Sequence, residues 1–133
     1  MESTTKILVT ATKMPSHDEI VSVVRGVLRK HPTATISVAD KDEHHEIARI
    51  ASSVGAPIHF IYPDVYSIRA IALDTATSIS VVSPKIPVDF NRFVIGFVQS
   101  VIAFDEGDPF VLFARRARKN IWFPRTGSVI RFD

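Results

Sequence analysis

Two adjacent imidazoles, His44 and His45, stand among Asp40, Asp42 and Glu43 in the stretch SVADKDEHHEIARIA, 37–51. Imidazole and carboxylate are the donors of a divalent-metal site, or the acid and base of a hydrolase. The spacing argues against one shared ion. A helix that grips a metal through two histidines places them four residues apart, whereas neighbours diverge by about 100° around the axis. The first reading of this stretch is a helix start, with Asp40 or Asp42 as its cap and both histidines partly exposed. A degraded pocket mouth comes second and a metal site third. Elsewhere, Ser16-His17 is no catalytic dyad, because Ser16 is better used as a helix cap, and His31 and His59 are isolated.

The elements that must position these groups follow from the apolar pattern. Lys6–Thr10 is a short run rich in β-branched residues, as a buried parallel strand requires. Ser16 and Glu19 have the spacing of a capping box, and Ile20, Val24, Val27 and Leu28 then share one helical face up to His31-Pro32. Residues 35–39 read as a second strand and 42–54 as a second helix, with Gly55 at its C-terminal cap. Residues 57–62 read as a strand, 64–74 as a helix and 78–82 as a strand, with a turn between Pro84 and Pro87. Asp89 opens a helix carrying Phe90, Phe93 and Phe97, which leads into a strand over 101–104. Asp108-Pro109 opens the last helix, which ends in Arg115, Arg116, Arg118 and Lys119. Two final strands, 121–123 and 129–132, flank a turn near Gly127.

Strands alternating with helices imply βαβ units. The expected fold is α/β: a single three-layer Rossmann-like domain over 1–133, with a mostly parallel sheet. Its ligand loops lie at the carboxyl ends of the strands, here 11–15, 40–43, 63–66 and 105–108. The bulk composition agrees. A chain of 133 residues that is 46% apolar suits one domain with one core. Its 16 basic and 14 acidic residues, net +2, are too balanced to indicate nucleic acid. The basic cluster at 115–119 complements a helix C-terminus without further explanation. No cysteine is present, which excludes disulfides and thiolate metal sites and fits a reducing compartment. The N-terminus lacks the pattern of a signal peptide, and no apolar run reaches membrane-spanning length, so a soluble cytoplasmic protein without a membrane role is expected.

Three segments carry a family resemblance. Ile7-Leu8-Val9-Thr10-Ala11-Thr12-Lys13 resembles a first strand and turn commonly written VTGSR. Asn91-Arg92-Phe93-Val94 resembles an NR helix start that leads to a strand VIAF, here Val101-Ile102-Ala103-Phe104. Ala114-Arg115-Arg116-Ala117-Arg118-Lys119-Asn120-Ile121 resembles the last helix and its exit into a strand. Together they make the chain similar to a small stand-alone member of the SLOG superfamily, the Rossmann-like group that includes the lonely-guy phosphoribohydrolases and DNA-processing protein A. By that analogy the source is bacterial or a phage.

The departures decide what the resemblance implies. Ligand-binding members have glycine-rich turns, GGARGAD after strand two and PGGxGT after the VIAF strand. Here those places read Ala39-Asp40-Lys41-Asp42-Glu43-His44-His45 and Asp105-Glu106-Gly107-Asp108-Pro109. Glycine lets backbone N–H groups approach a phosphate with no Cβ in the way. Carboxylates satisfy a helix N-terminus themselves, by about 0.3–1 kcal/mol, and repel phosphate. The catalytic glutamate of the phosphoribohydrolase pattern is also missing after Gly107. That activity is therefore not carried over, and whether the chain is an enzyme stays open, with a non-catalytic role favoured. The resemblance implies non-catalytic binding of a nucleotide or nucleotide-derived ligand in a degenerate pocket lined by Thr10, Thr12, Lys13, Asp40, Arg92 and Asp105. No resident metal or other cofactor is expected, with Mg²⁺ entering only as a bridge from the acids to a phosphorylated ligand. The alternative is an interaction protein that kept the fold, lost the pocket and forms a homodimer or binds a protein partner. Trp122, near a sheet edge, and any exposed phenylalanines would mark such an interface. A third reading, metal-assisted hydrolysis by Asp40, Asp42, His44 and Asp105, requires three of these ligands in one coordination sphere.

Overall fold

The apolar runs become strands and the amphipathic stretches become helices, in the alternation the sequence implies. The structure is a computed structural model that describes residues 5–83 and 89–132. Its strands are β1 (Lys6–Thr10), β2 (Thr35–Ala39), β3 (Ile58–Tyr62), β4 (Ser78–Val81), β5 (Ser100–Ala103), β6 (Asn120–Phe123) and β7 (Ser128–Ile130). Its helices are α1 (His17–Lys30), α2 (Asp42–Ser53), α3 (Ala70–Thr75), α4 (Asp89–Gly96) and α5 (Pro109–Arg116). The strands form one sheet in the order β4-β3-β2-β1-β5-β6-β7. Every pairing is parallel except β6 with β7. The strand order reverses between β1 and β5, which is the switch point of a Rossmann-like domain.

The two faces of the sheet carry separate helix layers. Ile7, Val9, Ile36, Val38, Ile58 and Phe60 point to one face, under α1, α2 and α3. Leu8, Ile61, Val101, Ala103 and Ile121 point to the other, under α4 and α5. The period-two alternation within β1 and β5 thus feeds both cores. Helix α1 is fixed at its start by a complete capping box, Ser16 with Glu19. It buries Ile20, Val23, Val24 and Val27; truncating one such side chain to alanine costs about 2–5 kcal/mol. Gly55, just past α2, has φ +91°, which suits glycine at that C-terminal position.

Some expected elements differ. The helix expected over 64–74 splits into a 3-10 turn at Val65–Ser67 and α3. Asp64 accepts from the Ser67 amide, and Ile68 then adopts an extended backbone that stops the turn from continuing. The last strand ends at Ile130 rather than 132. The expected turn between Pro84 and Pro87 lies outside the described residues. No helix among the described residues is long and apolar enough to cross a membrane.

Candidate functional site

The carboxyl ends of β1, β2, β3 and β5 converge beside the switch point, and there the polar residues of the sequence collect. Thr10, the last residue of β1, is buried. Its hydroxyl lies 2.6 Å from Asp108 Oδ2 and 2.8 Å from His44 Nε2. His44 Nδ1 is 2.8 Å from the Ala39 amide. An amide only donates, so Nδ1 accepts and the ring proton sits on Nε2. The direction of every bond follows. Ala39 N–H donates to His44, His44 Nε2–H donates to the Thr10 oxygen, and the Thr10 hydroxyl donates to Asp108. The other Asp108 oxygen accepts from the Phe110 amide at 3.0 Å, capping α5. Burial, then the charges of Lys41 and His45, push the His44 pKa down to about 3. Burial raises that of Asp108, against the opposing bonds from Thr10 and Phe110.

His45 takes the opposite tautomer. Its Nδ1 donates to the Lys41 carbonyl, and its Nε2 accepts from the Tyr62 hydroxyl at 2.7 Å. Burial lowers its pKa, against the raising effect of the Lys41 carbonyl. Both histidines are buried, which corrects the expectation of partial exposure. Adjacent positions on α2 diverge, as expected. What they diverge into is two internal contacts, one toward β1 and α5, the other toward β3. The stretch is a helix start whose histidines tie three strands to two helices.

Asp105 ties together the loops that follow β1, β5 and β6. Its Oδ2 accepts from the amides of Thr12 and Lys13, at 2.8 and 3.3 Å. Its Oδ1 accepts from Arg125 Nη1 at 3.2 Å. Burial raises its pKa, but the two amides and Arg125 outweigh that and hold it below the usual carboxylate value. Arg125 also donates to Glu19 at 3.0 Å and lies over the Phe104 ring. The β6–β7 turn is thereby folded across the strand ends.

The six expected ligand residues are not gathered into one pocket. Thr12, Lys13 and Asp105 meet, through the loop amides rather than through side chains pointed at a common space. Thr10 is beside them but is consumed by His44 and Asp108. Asp40 lies 3.7 Å from Arg69, which donates more closely to Asp42 at 2.6 Å. Arg92 lies 3.5 Å from Asp89 and over the Phe93 ring, not against Asp105. Among the described residues, no three histidine or carboxylate side chains come together as a metal-ion site. Phe93, on the helix opened by Asp89, is 41% exposed.

Residues that sequence reasoning missed are Arg69, Arg125, Tyr62 and the second role of Asp108. One signal was available. In a parallel sheet the residues after β6 emerge at the same end as the cleft, so Arg125 in the Pro124–Gly127 turn was placed to reach it. Arg69 and Tyr62 carried no signal, because their contacts depend on where the irregular stretch after β3 runs. No family model, curated protein or solved structure matches this chain.

Proposed function

We propose that this chain is a non-catalytic interaction protein, built on a SLOG-like scaffold whose strand-end cleft is closed by its own side chains. The observation that carries this reading is the Asp105 carboxylate on the Thr12 and Lys13 amides. That is where a ligand phosphate would take its backbone donors. An incoming anion must displace a tethered carboxylate and separate it from Arg125. Acid–base chemistry is equally pre-empted. The Thr10 proton and the one lone pair of His44 are both spent on internal bonds. Within this reading a homodimer uses the outer face of α4 and α5, where Phe93 and Leu112 are 41% and 50% exposed.

One observation favours the nucleotide-binding alternative: Thr12 and Lys13 side chains are exposed beside two convergent amides. A thermal-shift screen separates the two readings. Nucleotides, ADP-ribose derivatives and cyclic nucleotides are tested with and without Mg²⁺. A ligand at about 100 times its Kd adds about 2.7 kcal/mol, a shift of several degrees for this chain length. A flat screen supports the closed cleft. A shift that vanishes in Lys13→Ala overturns it.

A further inference from the structure

The seven-stranded sheet is unevenly covered. On the α1 face, α3, α2 and α1 lie side by side over β4 to β1. Beyond α1, the same face of β5, β6 and β7 forms the floor of an open groove of about 430 Å³. Ile102, Trp122 and Val129 line the floor, and Gly26 and Val27 of α1 form the wall. Trp122 is half-buried and Val129 is 46% exposed. Three strands at a spacing of about 4.8 Å present a width near that of one helix, about 10 Å. The groove is one helix position wide.

Two features say what would fill it. The first is charge. Lys30 and Arg131 line the groove, and no carboxylate among the described residues does. Neither cation pairs with an acid among the described residues, on a chain whose charges are otherwise nearly balanced. The second is Gly26. Glycine inside a helix is less stable than alanine, and here nothing in the fold requires it. A Cβ built at Gly26 would meet no atom within 4 Å. The missing side chain widens the groove wall instead. A second copy of this chain is a poor occupant, because a two-fold contact through this face brings its Lys30 and Arg131 onto the same cations.

We infer that this groove docks an amphipathic helix of a partner protein, apolar on one side and acidic along its flanks. The inference rests on the interaction reading above and names the class of its partner. The helix completes the layer begun by α3, α2 and α1, passes closely at Gly26, and sets carboxylates against Lys30 and Arg131.

The test uses Trp122, the single tryptophan of the chain, as the reporter. Two synthetic helical peptides of about five turns share a leucine stripe and differ only in flanking charge, glutamate in one and lysine in the other. The glutamate peptide is expected to blue-shift Trp122 emission saturably, and the lysine peptide is not. Gly26→Leu, whose Cβ meets no atom within 4 Å on the fold, is expected to weaken binding at least ~10-fold without lowering the thermal midpoint. Lys30→Glu combined with Arg131→Glu should do the same. The inference is overturned if neither peptide binds, if both bind alike, or if Gly26→Leu leaves the affinity unchanged. It is also overturned if the chain self-associates through a Trp122 shift that Gly26→Leu abolishes, which assigns the groove to a second copy. Peptide binding lost in Leu112→Glu but kept in Gly26→Leu removes the groove and keeps the interaction reading. Nucleotide binding with no peptide binding removes both.

Discussion

Buried neutral histidines should make this fold acid-labile. His44 and His59 are both buried. Burial, with Lys41 and His45 nearby, brings His44 down to about 3, and burial, with Lys6 nearby, brings His59 down to about 4. In the unfolded chain each titrates near 6.5. Between the folded and unfolded values the unfolded chain binds more protons, so stability rises with pH through that window. The contribution is complete above about pH 6.5 and is lost progressively as pH falls toward 3–4. From pH 7.5 to 5.0 each of these two histidines should cost about 2 kcal/mol. His45, also lowered by burial, adds to the loss. Asp108 runs the other way: its raised pKa means that the folded state gains the proton first on acidification, which returns part of the stability. A net loss of roughly 4 kcal/mol is a large share of a typical stability of about 5–15 kcal/mol. Urea unfolding at pH 7.5, 6.0 and 5.0, followed by far-UV circular dichroism, measures it. His44→Gln, which cannot titrate, should be less stable at pH 7.5 but show about 2 kcal/mol less pH dependence. A stability that is flat between pH 7.5 and 5.0, or a His44→Gln variant with the wild-type slope, would refute the reasoning.

Three further outcomes are expected. Thr10→Val keeps the shape but leaves His44 Nε2–H and Asp108 without their shared partner, and should cost about 2–4 kcal/mol in chemical denaturation, whereas Thr10→Ser should cost less than about 1 kcal/mol; a larger cost for Thr10→Ser than for Thr10→Val would mean that the methyl group, not the hydroxyl, matters. Gly26→Ala should raise the stability of the isolated chain by about 0.5–1 kcal/mol, seen as a higher thermal midpoint, because the added methyl meets open space. Light scattering should find a dimer that Leu112→Glu converts to monomer; a wild-type monomer removes the homodimer while leaving a heterologous partner in place.

The fold was legible because its signals are local and repeated. Alternating apolar runs and capped amphipathic stretches place β1 through α2 almost to the residue, and Ser16 with Glu19 marks the start of α1 as a capping box should. The region after β3 was harder, since Asp64 serves a 3-10 turn with the same side-chain chemistry that would start a longer helix. The site was legible only in part. Under the family resemblance, the acids at 40–43 and 105–108 implied a missing phosphate grip, and Asp105 accepting from the Thr12 and Lys13 amides agrees with that expectation. The burial of His44 and His45 was not legible. A histidine beside aspartates at a helix start reads as exposed, unless it is known that Thr10 and Tyr62 wait at the strand ends to satisfy it. The NR resemblance placed Arg92 at the cleft, and Asp89, one turn away on the same helix, lies 3.5 Å from it.

The closed cleft is tested most directly at the two amides that Asp105 occupies. Two-dimensional ¹H–¹⁵N spectra of the labelled protein would be titrated with inorganic phosphate, AMP and ADP-ribose, and compared with Asp105→Ala under the same conditions. In the wild type, the Thr12 and Lys13 resonances should stay unmoved. In Asp105→Ala, which exposes both donors and leaves Arg125 without that carboxylate, they should shift saturably with phosphate. Saturable movement of Thr12 and Lys13 in the wild-type protein would contradict the closed cleft and restore this loop as a working anion site.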